Sequence, residues 1–416
     1  MKNSLNTNAK SDNNSAQQQE NNNGNRKNKT KFEVLKNHLD DNYKIRMNSV
    51  TMELEWKKAD LKEFEVMNIN DLYFEFYKGG FSKFKEELNA IFGSSETAKF
   101  DPFEEYFNSL PSYNPNEEPD YINDLTKFIR TDDQEWFKRI FKKFLVQMVG
   151  QSLGKIEFNK HCLTLVGKQH DGKTTFLDWL VPTKLKKYIK KGFEFRGNKE
   201  SKFSLVQNFL INLDELASFE KKELNNEFKS VLSESIVKYC PKYSNQEIAF
   251  KRRASFVAST NQYEFLTDET GNVRWLVFKI LNIVHDNGGA KGYSQNADID
   301  NIWKQAYYLL QSNDFDCILS KDEISQQEIL NNRFVKTTDE IEYILKHFDK
   351  PNDENINQAK FCTTSEIVKA LENRGLRTNR NFVGRALTNL KYELSSKWNI
   401  ERKFTEKGYY IIFKDF

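Results

Sequence analysis

Apolar side chains recur along this chain in distinct rhythms, and each rhythm predicts a different kind of element. From Asp133 onwards Trp136, Phe137, Ile140, Phe141, Phe144, Leu145 and Met148 follow helical spacing, with Lys138, Arg139, Lys142 and Lys143 between them. This predicts a strong amphipathic helix whose lysines and arginine form a solvated face. Leu163–Val166, Phe209–Leu213, Ala254–Ala258 and Trp275–Phe278 are short runs of apolar and β-branched residues with polar ends, which read as buried strands. Towards the C-terminus Thr338–Phe348, Thr364–Arg374 and Asn379–Leu394 read as three helices, the second stopped at Gly375. The third is predicted to bury Phe382, Val383, Ala386, Leu387 and Leu390 and to offer Arg380, Asn381, Arg385, Asn389 and Lys391 on its other face. Ile400–Phe404 and Tyr409–Phe413 then read as a hairpin around Lys407-Gly408. Three helices and a hairpin predict a winged helix-turn-helix, a domain that sets its third helix in the DNA major groove.

The remaining stretches set the domain limits. Residues 1–31 are rich in Asn, Gln, Ser and Lys, with Leu5 the only large apolar side chain, and are expected to be disordered. Residues 32–130 form a mixed, largely helical region. A helix over 70–92 is interrupted at Gly79-Gly80, and the proline-marked stretch from Pro102 to Pro119 reads as a linker or irregular loop. Residues 131–300 are expected to be the central domain, 286–300 being loop; 301–336 a connecting helix; and 337–416 the C-terminal domain.

Chemistry enters at Gly167-Lys168-Gln169-His170-Asp171-Gly172-Lys173-Thr174, which matches the phosphate-binding pattern G-x-x-x-x-G-K-[ST] between a predicted strand and a helix that opens with Thr175. Loop amides would cradle the phosphates of ATP, Lys173 would reach the β- and γ-phosphates, and Thr174 would ligate Mg²⁺. Phe209–Leu213 ends in Asp214 and Glu215, the first placed to hold Mg²⁺ and the second to polarise the attacking water. A further strand ends in Ser259-Thr260-Asn261, where Asn261 can hold that water; standing alone it would read as a turn former. Arg274, just before the strand at Trp275, is at a position from which an arginine finger can be offered to a neighbouring subunit, or a surface salt bridge made.

Composition narrows the classes. The chain has 416 residues and a formal net charge of only +3, so bulk charge does not argue for nucleic acid and local patches must. Cys162, Cys240, Cys317 and Cys362 lie too far apart for metal or redox spacing, and the histidines form no cluster. No apolar run reaches membrane-span length and no signal-peptide core opens the chain, so a cytoplasmic protein is expected.

Taken in order, Gly-x4-Gly-Lys-Thr, Leu213-Asp214-Glu215-Leu216, Lys251 through Asn261, and Phe265 through Trp275 resemble the virulence-associated E family. These are P-loop ATPases related to superfamily 3 replicative helicases of phages, plasmids and integrated elements. The resemblance covers roughly residues 100–285. It implies an α/β, AAA+-like core assembled as a ring, expected as a hexamer, with ATP between subunits. The family pattern has two arginines after Gly-Asn. Here the first position is Val273, which places the finger on Arg274 and leaves Arg252 and Arg253 as weaker candidates. Many relatives carry a primase module upstream; its acids are missing here, which makes a separate primase a candidate partner.

Residues 236–253 read as a hairpin. The resemblance puts it in the central pore, with Lys242 and Tyr243 near the tip gripping single-stranded DNA. Duplex DNA would meet Arg380, Arg385 and Lys391. The expected activity is an ATP-dependent DNA helicase or translocase that replicates a mobile element or phage. The alternatives are an ATP-switched DNA-binding regulator and a defence ATPase acting on an invader's replication.

Overall fold

The computed structural model describes residues 30–58, 63–195, 198–214, 222–240, 246–266, 272–352 and 354–414. They fall into two units, the described residues of 30–47 with those of 54–98, and 48–53 with the described residues from 99 onwards.

The larger unit is built on a six-stranded sheet. Its order is Ile189–Lys191, Leu210–Asp214, Ser255–Thr260, Cys162–Val166, Trp275–Ile283, Ile129–Thr131. All neighbours are parallel except the last pair. The central Cys162–Val166 and Ser255–Thr260 strands are buried at every position, which is why they read as unbroken apolar runs rather than alternating ones. Alternate residues still serve opposite faces. Leu163 and Leu165 join the cluster under the Gln134–Ser152 helix, while Cys162 and Val166 join the one containing Phe228, Phe256 and Trp275. The long helix starts where expected, at Asp133, whose side chain accepts from the Trp136 amide.

The Pro102–Pro119 stretch is not all linker: Pro102–Ser109 is a helix. Asp101 caps it, accepting from the Phe103 and Glu104 amides, and Pro102 sits in the first turn, where a missing N–H costs nothing. Phe103 and Phe107 go into the core. A proline that reads as a breaker was a helix start. The 286–300 stretch holds a short helix at Tyr293–Asn296, and the next helix, Ile299–Gln311, begins inside it.

The smaller unit joins an antiparallel Tyr43–Asn48, Leu54–Lys58, Glu65–Val66 meander to helices Lys31–Asn42, Ile69–Lys78 and Lys85–Gly93. The helical reading of 70–92 holds, with its break at Gly79-Gly80; the strands were not anticipated.

At the C-terminal end are helices Asp339–His347, Thr364–Glu372 and Arg380–Asn389, which bury Ile344, Ile367, Leu371, Val383 and Leu387 together. Phe382, expected inside, is about half exposed. A hairpin follows, but its strands are Leu394–Asn399 and Phe404–Phe413, so the chain turns at 400–403 and not at Lys407-Gly408. Gly408 is a mid-strand residue opposite Thr363 and Ser395. A Cβ there would lie 2.5 Å from the Cys362 carbonyl oxygen, so this glycine answers a close backbone approach rather than a turn. Among the described residues no helix is long and apolar enough to cross a membrane.

One core residue carries a pH signature. His161 precedes the Cys162–Val166 strand, is 3% exposed, and has its Nδ1 3.3 Å from Gln147 Oε1. Burial, with Lys160 and Arg274 adding to it, lowers its pKa to about 3. The unfolded chain binds this proton from about pH 6.5 downwards and the folded chain does not until about pH 3. Stability is therefore expected to fall by about 1.4 kcal/mol per pH unit as pH drops through that window. Denaturant midpoints measured from pH 7 to pH 5 should show a shallower slope in His161→Gln; an unchanged slope would show that His161 is not its source.

Candidate nucleotide-binding site

The Cys162–Val166 strand runs directly into Gly167, whose amide donates to the Thr260 carbonyl at 3.2 Å. The loop then turns through His170, at φ 69°, and Gly172, at φ 77°. Gly172 is required twice. Its φ is left-handed, and a Cβ there would lie 2.9 Å from Cδ2 of His285. The Lys173–Trp179 helix follows at once.

Lys173 is buried, and its Nζ donates to the Gly167 carbonyl at 3.0 Å, the Lys168 carbonyl at 2.5 Å and Asn261 Oδ1 at 3.0 Å. Burial pulls its pKa below the usual lysine value, and Asp171 and Asp214 partly offset this. Thr174 Oγ1 donates to Asp214 Oδ1 at 2.9 Å and lies 2.9 Å from Ser259 Oγ, which is itself 3.2 Å from the same carboxylate oxygen. The strand order causes this convergence. Ser255–Thr260 lies between the loop strand and the Asp214 strand, and in register Ser259 stands beside both Leu165 and Asp214. The resulting cleft has a volume of about 690 Å³, in the range of small-molecule sites.

Of the residues singled out from the sequence, the cleft gathers Gln169, His170, Asp171, Gly172, Lys173, Thr174, Thr175, Asp214 and Asn261, with Gly167 and Lys168 holding Lys173 from behind. Glu215 lies outside the described residues, as do Lys242 and Tyr243. The strands flanking those two, Ile236–Tyr239 and Ile248–Lys251, do pair as a hairpin. Arg274 is not at the cleft of its own chain. It precedes Trp275, which stands beside Cys162 at the start of the loop strand, whereas the cleft opens past Val166. About 13 Å of strand separates the two ends.

Arg252 and Arg253 are committed elsewhere. Arg252 is wholly buried; its guanidinium donates to the Val231, Leu232 and Asn159 carbonyls and to Gln151. Arg253 pairs with Asp101 at 2.7 Å. Arg380, Arg385 and Lys391 are exposed on or just after the third C-terminal helix.

Sequence reading missed Ser259, Trp179 and the His285–Ser294 segment, all of which line the cleft. A hydroxyl at the polar end of a buried strand was a usable signal for Ser259. The glycine-rich segment gave none, because its place follows from the fold.

Thr174, Ser259 and Asp214 are hard oxygen donors of the kind Mg²⁺ takes, and their close grouping fits such an ion. Among the described residues no three His, Cys, Asp or Glu side chains gather to hold one alone. Phosphate and water would complete the shell, as is usual for this ion.

A mostly parallel sheet with a glycine loop closing on a lysine, a threonine and an aspartate defines the class of architecture, and the family follows from comparison. Residues 112–336 match the virulence-associated protein E-like domain, and the chain belongs to that family. No curated protein sequence matches the chain. Among solved structures, the A form of the apo NrS-1 C-terminal region (305–718) is similar at a TM-score of 0.51 with 12% identity, covering 91% of this chain and 98% of that one. This likeness is one of fold. A second apo structure of the same region has a TM-score of 0.48 and 13% identity, covering 90% of this chain and 97% of that one. A structure described as the active helicase Cch of SCCmec type IV has a TM-score of 0.37 and 11% identity, covering 88% and 93%.

Proposed function

We propose that this protein is an ATP hydrolase of the AAA+-like type that drives a DNA helicase or translocase for the replication of a mobile element or phage. The observation that carries this reading is the convergence of Lys173, Thr174, Asp214, Ser259 and Asn261 at one end of the parallel sheet. Lys173 binds the terminal phosphates, exchanging the loop carbonyls and Asn261 for them. Asn261 and Glu215 orient the attacking water. Thr174 and Asp214 would hold Mg²⁺, which supplies charge neutralisation on the phosphates when bound. Arg274 serves the cleft of a neighbouring subunit, which its position at the far end of the sheet supports and which makes the active form a ring, expected as a hexamer. The 236–251 hairpin, with Lys242 and Tyr243, contacts single-stranded DNA inside that ring. Residues 337–416 act as a winged helix that holds duplex DNA through Arg380, Arg385 and Lys391. Membership of the virulence-associated protein E-like family supports the biological setting.

The test is DNA-dependent turnover combined with strand displacement. Wild-type protein is expected to hydrolyse ATP faster with DNA and to separate a forked duplex. Site-specific duplex binding without unwinding would instead identify an ATP-switched regulator. In the same assays Arg380→Ala/Arg385→Ala is expected to keep basal ATPase but to bind duplex DNA more weakly. The slope of log affinity against log salt should fall by about one unit per lost phosphate contact. Wild-type duplex affinity across the salt series would make the C-terminal helices a protein-contact module.

A further inference from the structure

The nucleotide cleft does not end at the phosphate loop. Thr175, beside that loop, and Trp179 are four residues apart on one helix, so both face the same way, about 6 Å apart along the axis. Both line the cleft. Trp179 is held there: its ring stands edge-on to Tyr293 with centroids 5.0 Å apart, and Tyr293 is edge-on to Phe176 at 5.3 Å. Tyr293 is buried, whereas Trp179 keeps part of its surface open to the cleft.

The turn from His285 to Ser294, whose Tyr293 meets Trp179 directly, also lines the cleft, and it too is fixed. His285 Nδ1 accepts from the Asn287 amide at 3.1 Å, and the other side of its ring covers Gly172. Gly292 packs so closely that a Cβ would lie 2.3 Å from the His285 carbonyl oxygen. Asp286 and Asn287 both take left-handed φ values, 45° and 46°. A turn held in this way is built to a shape, and His285, Asn287 and Ser294 join Trp179 in the lining of the cleft.

We infer that Trp179 and the His285–Ser294 turn form the base-and-sugar end of the site, with Trp179 offering the aromatic face on which a nucleobase stacks and Asn287 and Ser294 the polar groups at its edge. The ligand class is a nucleoside triphosphate held at both ends, rather than any polyphosphate held by the loop alone. The inference rests on the nucleotide-binding reading above.

Calorimetric titration of the full chain with ATP and, separately, with inorganic tripolyphosphate tests it. Wild-type protein should bind ATP more tightly than tripolyphosphate. Trp179→Leu keeps apolar bulk against Tyr293 but removes the flat ring; it should lose about tenfold to a hundredfold in ATP affinity with tripolyphosphate affinity unchanged, as loss of one base–aromatic stack implies. Trp179→Phe should stay within about threefold of wild type for both ligands. Asn287→Gly, which removes the side-chain amide and accepts the left-handed backbone of this exposed turn, should weaken ATP severalfold and tripolyphosphate not at all. Equal losses for both ligands in Trp179→Leu, or unchanged ATP affinity in Trp179→Leu and Asn287→Gly, overturn the assignment. A wild-type protein that binds tripolyphosphate as tightly as ATP overturns it too, while leaving the phosphate site standing. Binding of neither ligand removes the nucleotide site itself.

Discussion

Replacing Lys173 by alanine is expected to lower ATP turnover by about a hundredfold to a thousandfold, the loss that follows removal of one preorganised charge-stabilising group. The side chain is buried with its ammonium on Gly167, Lys168 and Asn261, and among the described residues no carboxylate pairs with it directly. Burial, which also lowers its pKa, leaves it poorly solvated there. An ammonium held in that state gains most when phosphate charge arrives, which is why its removal should cost turnover far more than folding. Its partners are two loop carbonyls and one amide, so the alanine variant should melt near the wild-type temperature. Steady-state hydrolysis and thermal melting on the same preparation decide the matter. Turnover within a few-fold of wild type would mean that this cleft is not where ATP is split.

Arg274→Ala should lose about a thousandfold or more in turnover while binding ATP normally, since a finger acts on transition-state charge and contributes little to ground-state affinity. A finger at Arg274 would have to work in trans. Arg274 stands at the start of its strand, with its guanidinium 3.3 Å from Ser233 Oγ, whereas the cleft lies beyond the other end of the sheet. Burial depresses its pKa. Mixed assemblies give a test that single variants cannot. Arg274→Ala subunits carry an intact cleft and Lys173→Ala subunits an intact finger, so mixing two nearly inactive proteins should restore measurable hydrolysis. If Arg274→Ala alone turns over normally, the finger lies elsewhere. The burial of Arg252 and the ion pair of Arg253 make both poor replacements.

What the sequence disclosed and what it withheld divide along a physical line. The phosphate loop was legible because its glycine spacing, lysine and threonine are local and its flanks have their own periodicities. Asp214 and Asn261 were legible as polar ends of apolar strands. Ser259 stands beside Asp214 only because its strand is inserted between two others, and no local pattern encodes an order of strands. Trp179 read as one more apolar residue of a helix, and the turn that faces it as a glycine-rich loop. The hairpin near the C-terminus was recognised but mis-registered, because Gly408 looked like a turn residue when its bareness serves the Cys362 backbone beside it. Helix Pro102–Ser109 was missed because proline was given its commoner meaning.

Arg252 gives the 236–251 hairpin the mechanics of a lever with a clamped root. Its amide holds the Ser235 carbonyl, its guanidinium holds the last carbonyls of the Lys222–Leu232 helix, and its own carbonyl accepts from Gln151 at the end of the long helix. A root held in several directions does not hinge. Load carried down the two strands would therefore pass through this root as torque into the helices, and a stroke at the base of the hairpin would be a stroke of the body that carries it.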